Sequence, residues 1–134
     1  MAVNNGSGNA YGIFAHNGST IEIVGDVNAT ANSGSAYGVD LGTGTNSLKT
    51  VNNIKATTTS GEFAVGIMSR PLGAASNNTL TVAGNVEAVN NGSGEADGIS
   101  NINPGILETK VGGNIIAKSA GSKAVAVAST SSGN

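Results

Sequence analysis

Short stretches in which apolar and polar residues alternate recur along this chain, and they recur in the same order. One reads Ala-Tyr-Gly-Ile at Ala10–Ile13 and Ala-Tyr-Gly-Val at Ala36–Val39. It returns as Ala64-Val65-Gly66-Ile67, Ala96-Asp97-Gly98-Ile99 and Ala124-Val125-Ala126-Val127. Alanine holds the first place and a β-branched residue the fourth in every copy, and successive copies start 26, 28, 32 and 28 residues apart. Self-similarity at such a spacing marks a repeat architecture.

A second stretch lies between these copies. It runs Ile21-Glu22-Ile23-Val24-Gly25-Asp26-Val27-Asn28-Ala29 and Leu80-Thr81-Val82-Ala83-Gly84-Asn85-Val86-Glu87-Ala88. The Leu48 to Ala56 copy carries Asn52-Asn53 where these have Gly-Asp or Gly-Asn, and Leu107 to Ala117 is a weaker copy. Val27, Ile54, Val86 and Ile115 form one apolar column, with Ala29, Ala56, Ala88 and Ala117 two places on.

Alternation with period two predicts strands buried on one face. The Gly-Asp/Asn pairs fall where the backbone needs a bend or a positive φ. No 3.6-residue period persists, so no helix is expected. Each coil reads as strand, bend, strand, polar turn, strand and variable loop. The fold class predicted is all-β, a parallel β-helix (β-solenoid) with coils of about 26–32 residues. One solenoid segment spans 1–134, with a partial coil 1–19 and coils 20–46, 47–78, 79–105 and 106–134. Arg70-Pro71-Leu72-Gly73 and Asn103-Pro104-Gly105 mark places where loops leave the stack.

The columns Ile13/Val39/Ile67/Ile99/Val127 and Val27/Ile54/Val86/Ile115 are the expected aliphatic ladders of a shared core. The alanine column and the Gly12/Gly38/Gly66/Gly98/Ala126 column take the opposite parity, which predicts a flat outer face or a closely packed neighbour. Lys55 and Glu87 fall in one outward column on adjacent coils, so their opposite charges serve as a check on register.

Composition narrows the functional classes. With 21 glycines and only 10% charged residues the chain has a bias often seen in disorder, yet 38% of its residues are hydrophobic and regularly placed. It has no cysteine, which excludes a disulfide framework, a thiolate metal site and a cysteine nucleophile. Six basic and eight acidic residues are scattered, with no basic patch for nucleic acid. No apolar run approaches 18 residues, so no membrane insertion of this segment is expected. Met1-Ala2-Val3 lacks the features of a signal peptide and reads as the start of an internal segment.

Candidate chemistry is sparse. Asp97 takes the place of Tyr11, Tyr37, Val65 and Val125, a column sharing parity with the Ile13 ladder. An inward carboxylate is costly unless hydrogen-bonded, so Asp97 is the one candidate ligand residue, beside the plainer reading of a local distortion. Glycoside cleavage needs an acid and a base placed together; Asp40 and Asp97 flank the same strand motif two coils apart, in non-equivalent columns, and no catalytic residue is assigned. His16, the only histidine, lies in the polar turn Ala15-His16-Asn17-Gly18-Ser19 and reads as an exposed bystander. The Gly-Gly-x-Gly-x-Asp calcium repeat is absent, and Asn5-Gly6-Ser7-Gly8 and Asn91-Gly92-Ser93-Gly94 lack the lysine of a phosphate loop. The Thr-x-Thr pairs at Thr43, Thr57 and Thr79 fall at different places in the coil, unlike an ice-binding column. No metal and no cofactor is expected.

The units Gly25–Thr30 with Gly34–Val39, and Gly84–Ala88 with Gly94–Ile99, resemble the repeats of bacterial autotransporter passenger domains. The resemblance implies a right-handed parallel β-helix, extracellular on a bacterial cell surface, serving adhesion, aggregation or as a stalk. The lack of cysteine fits that family's unfolded passage across the periplasm. The expected function is therefore a non-enzymatic structural or adhesive segment, with a host surface or further copies as partners through solenoid faces and ends. The alternatives are a carbohydrate-active β-helix of lyase or hydrolase type, or a phage tail-spike segment.

Overall fold

A computed structural model describes residues 1–50, 52–70, 76–102 and 105–129. The first turn contains β1 (Ala2–Asn4), β2 (Ala10–Ala15) and β3 (Thr20–Ile23). The second contains β4 (Val27–Ala31), β5 (Ala36–Leu41) and β6 (Ser47–Thr50). Next come β7 (Ile54–Thr58), β8 (Phe63–Ser69) and β9 (Asn77–Val82), then β10 (Val86–Asn90), β11 (Glu95–Asn101) and β12 (Ile106–Val111). The described chain ends with β13 (Ile115–Ser119) and β14 (Ala124–Ser129). Every strand pairs in parallel with its counterpart one turn away. The result is a three-sided β-solenoid with no helix among the described residues. Sheet A is β1-β4-β7-β10-β13, sheet B is β2-β5-β8-β11-β14 and sheet C is β3-β6-β9-β12.

The expected loops at Arg70–Gly73 and Asn103–Gly105 fall largely outside the described residues, as do residues 130–134.

The registers follow the repeat. Ala10, Ala36, Ala64, Ala96 and Ala124 stack in one column, and Ile13, Val39, Ile67, Ile99 and Val127 in another. Val27, Ile54, Val86 and Ile115 stack in sheet A. Leu48 and Leu80 of sheet C join them in one core, with Leu41 and Val82 also buried there. Burying these aliphatic side chains removes apolar surface from water, at about 1.5–3 kcal/mol each for full burial. No coil can do this alone, since each covers its neighbour's face.

Leu107 departs from its expected place. Thr109 lies beside Leu80, and Leu107 beside Asn78. The weaker copy therefore puts a hydroxyl in the leucine column, and Thr109 Oγ1 is buried without a hydrogen-bond partner.

The small-residue columns face inward. Ala10 and Ala36 pack with Ala29, Ala31 and Ala56, and Ala64 and Ala96 with Ala88. Between the two alternatives, the closely packed neighbour is what the structure contains: sheets A and B converge on these alanines. The glycine column goes further. A Cβ built on Gly38 would lie 2.5 Å from Ile54 Cγ2, and one on Gly66 would lie 2.5 Å from Val86 Cγ1. Glycine is required here by close approach.

That glycine also corrects the parity expected for Asp97. Gly38 abuts the sheet A ladder, and the next residue, Val39, is fully buried in the core. Two successive residues thus face inward, which displaces the alternation by one. The Tyr11/Tyr37/Val65/Asp97/Val125 column consequently lies on the outer side of sheet B, opposite the Ile13 ladder.

Polar side chains staple the corners from turn to turn. Asp26 Oδ1 accepts from the Asn53 backbone N–H at 3.0 Å, Asn53 Oδ1 from the Asn85 N–H at 2.9 Å, and Asn85 Oδ1 from the Asn114 N–H at 2.8 Å. Between sheets B and C, Asn46 Oδ1 accepts from the Ser19 N–H, and Asn46 Nδ2 donates to Asn78 Oδ1 at 2.9 Å. Of the Gly-Asp/Asn glycines only Gly25 has a positive φ, at 131°. The second member of each pair forms the ladder.

Candidate functional site

The outer face of sheet B carries Tyr11, Phe14 and Tyr37 together with Asp40 and Asp97, and Arg70 reaches it. Tyr11 and Tyr37 stack one rung apart, with ring centroids at 5.1 Å and an interplanar angle of 11°. The Arg70 guanidinium lies over Tyr37 at 5.2 Å from its centroid and donates to Tyr11 Oη at 3.4 Å. It also pairs with Asp40 at 2.5 Å. Asp40 is wholly buried, and its carboxyl is pushed up by burial, with Arg70 opposing the shift. Burial likewise raises the Tyr37 hydroxyl.

His16 is more sheltered than the polar-turn reading predicts. Its ring stacks on Phe14 at 4.0 Å, and Nε2 is buried without a hydrogen-bond partner. Phe14 stands beside Asp40 in register, which gives the turn a ring to cover.

Arg70 also lines a cleft of about 370 Å³, together with Tyr37, Phe63, Val65, Met68, Glu95, Asp97, Ser100, Ile102, Lys123 and Ala128. Asp97 is only 8% exposed, and its Oδ1 has no hydrogen-bond partner. Burial raises its carboxyl first and the neighbouring Glu95 raises it further, while Lys123 and a hydrogen bond with Ser100 pull the other way.

The structure does not bring Asp40 and Asp97 together. Asp40 stands in the Met68/Ser100 column, three places along the strand from Asp97's column and two rungs away. Its charge is already answered by Arg70. Sequence reasoning missed Glu95, Arg70 and Lys123. Extending the repeat one residue ahead of each alanine places Phe63, Glu95 and Lys123 in consecutive coils, a column whose chemistry changes at every rung. Arg70 leaves no such signal, because it follows β8 where no repeat column continues.

Elsewhere several charges pair between rungs. Glu87 pairs with Lys55 at 2.8 Å and with Lys118 at 3.2 Å, and Glu22 pairs with Lys49 at 3.3 Å. The lysines beside Glu87 hold its carboxyl below the usual range. Among the described residues no three His, Cys, Asp or Glu side chains gather as metal ligands.

No family model matches this chain. No curated protein and no solved structure matches it either.

Proposed function

We propose that this chain is a structural and adhesive β-solenoid segment of a bacterial cell-surface or secreted protein, acting outside the cell through the outer face of sheet B. The observation that carries this reading is the stacked Tyr11–Tyr37–Arg70 array running along the solenoid axis into the Asp97 cleft. Four turns contribute to one continuous surface, so a partner lying along the axis meets aromatic, cationic and anionic groups in a fixed order. The resemblance to autotransporter passengers supports the setting, as does a chain without cysteine. Sequencing the source gene downstream of Asn134 tests it. A run of alternating strands of about ten residues, as an outer-membrane barrel requires, is the expected result. A gene coding for a phage tail protein, with no surface anchor, overturns it.

A carbohydrate-active reading has one observation in its favour. Glu95 and Asp97 line the same cleft two places apart on β11. Residues two apart on a strand project from the same face, with Cα atoms about 6.5–7 Å apart, and glycoside hydrolysis uses a pair of carboxyl groups flanking one bond. Release of reducing ends from acidic polysaccharides, abolished in Asp97→Asn, would establish that reading in place of the first.

A further inference from the structure

The tripeptide Asn-Gly-Ser occurs three times, at Asn5–Ser7, Asn17–Ser19 and Asn91–Ser93. Asparagine before glycine is open to an intramolecular reaction, because no Cβ shields the glycine nitrogen from the neighbouring side-chain amide. Identical in sequence, the three sites share closely similar intrinsic reactivity, and each asparagine is exposed. The fold treats them differently. Gly6 N–H donates to Asn4 Oδ1 at 2.8 Å, and Gly92 N–H to Asn90 Oδ1 at 3.0 Å. In both, an asparagine two places earlier holds the nitrogen that would have to attack. The residue two places before Gly18 is His16, and Gly18 N–H donates no hydrogen bond among the described residues. Nor does the Asn17 carbonyl oxygen accept one there, so the Asn17–Gly18 peptide can turn without breaking a backbone hydrogen bond. Asn17 is also the only described non-glycine residue with a positive φ, at 62°, and Gly18 follows at 81°.

We infer that Asn17 is a site of spontaneous deamidation and the first of the three to react. The Gly18 nitrogen attacks Asn17 Cγ and gives up its proton to solvent. The Cγ–Nδ2 bond breaks, ammonia leaves, and a succinimide ring is closed. Water then opens the ring at either carbonyl. One opening gives aspartate; the other gives isoaspartate, in which the main chain runs through the side-chain carbons. Either product adds a negative charge at the corner between sheets B and C. Isoaspartate also lengthens the backbone at a turn-to-turn contact, the Asn17 N–H donating to the Thr43 carbonyl at 2.8 Å. Ser19, two residues on, has its N–H held by Asn46 Oδ1 at 3.0 Å. The modification therefore acts where the first turn is fastened to the second, whatever sheet B contacts.

The test is peptide mapping by mass spectrometry after the folded 134-residue chain has stood in mildly alkaline buffer, beside a sample held in denaturant. In the folded chain Asn17 is expected to deamidate about fivefold or more faster than Asn5 and Asn91, the factor that one net hydrogen bond on the attacking nitrogen supplies. In denaturant the three rates converge. Asn4→Ala removes the acceptor that holds Gly6 N–H, and is expected to raise the rate at Asn5 by about the same factor while leaving Asn17 unchanged. Asn5 or Asn91 reacting as fast as Asn17 in the folded wild type, or Asn17 staying intact there, overturns the inference. So does the same ranking in denaturant, which would put the difference in the sequence and not in the fold.

Discussion

Arg70 Nη2 lies 2.5 Å from Asp40 Oδ2, and the Asp40 side chain has no exposure to solvent. The two residues are 30 apart in sequence and join consecutive turns across the outer face of sheet B. Removing one partner strands a buried charge, which typically costs about 3–5 kcal/mol. Arg70→Ala is expected to lose stability on that scale in urea unfolding. Asp40→Met with Arg70→Met, which repeats the Met68 found one rung on, is expected to recover most of the loss. Equal stability of Arg70→Ala and wild type would show that the pair contributes nothing.

The glycine column of sheet B sets how closely sheets A and B approach. Gly66→Ala would put a methyl 2.5 Å from Val86 Cγ1 and 2.6 Å from the Gly98 carbonyl oxygen. Overpacking of this kind costs about 1–3 kcal/mol or more, read as a lowered unfolding midpoint. The last turn already carries alanine in this column, at Ala126, where no further described rung lies beyond it. Ala126→Gly is therefore expected to change stability by well under the Gly66→Ala loss.

The register was legible in the sequence because Ala, Gly and a β-branched residue recur at fixed places, and columns in a solenoid are simply equivalent positions in successive turns. The facing of Asp97 was not. Period-two alternation assumes a regular strand, and Gly98 breaks it by bringing two successive residues inward. Asp97 itself stood out as the lone acid in an apolar and aromatic column. Its neighbours Glu95 and Lys123 did not, because their column repeats no residue type, and Arg70 lies where the repeat has already given way to a loop.

Protonation separates Asp97 from Glu87. The Asp97 carboxyl is raised in the folded chain, so folding takes up protons and stability falls as pH rises from the ordinary aspartate range through the raised value. Glu87 is lowered by Lys55 and Lys118; its contribution is present above the ordinary glutamate range and is lost as pH falls through the folded value. Asp97→Asn is expected to gain stability over wild type as pH rises to neutrality, and Glu87→Gln to lose it over the same change. Equilibrium unfolding at a series of pH values checks both; parallel curves for wild type and Asp97→Asn would contradict the first.

Apolar side chains stand open near both ends of the described solenoid. Val3 is 51% exposed at one, and Ile106 and Val127 are 60% and 57% exposed at the other. Terminal strands also present unpaired backbone groups to a neighbour. The 134-residue chain is expected to associate end to end, with a sedimentation coefficient that rises with concentration. Val127→Lys should lower that rise. A strict monomer at high concentration would contradict it.

Adhesion through sheet B is tested most directly by retention of beads coated with the folded chain on animal-cell monolayers under flow. The comparison is between Phe14→Ser with Lys123→Glu, two exposed positions on or beside sheet B, and the charge swap Glu22→Lys with Lys49→Glu on sheet C. Retention of wild-type and sheet C beads, with loss confined to the sheet B variant, is the predicted result. Wild-type beads held no better than albumin-coated ones, or equal loss from both variants, would contradict it.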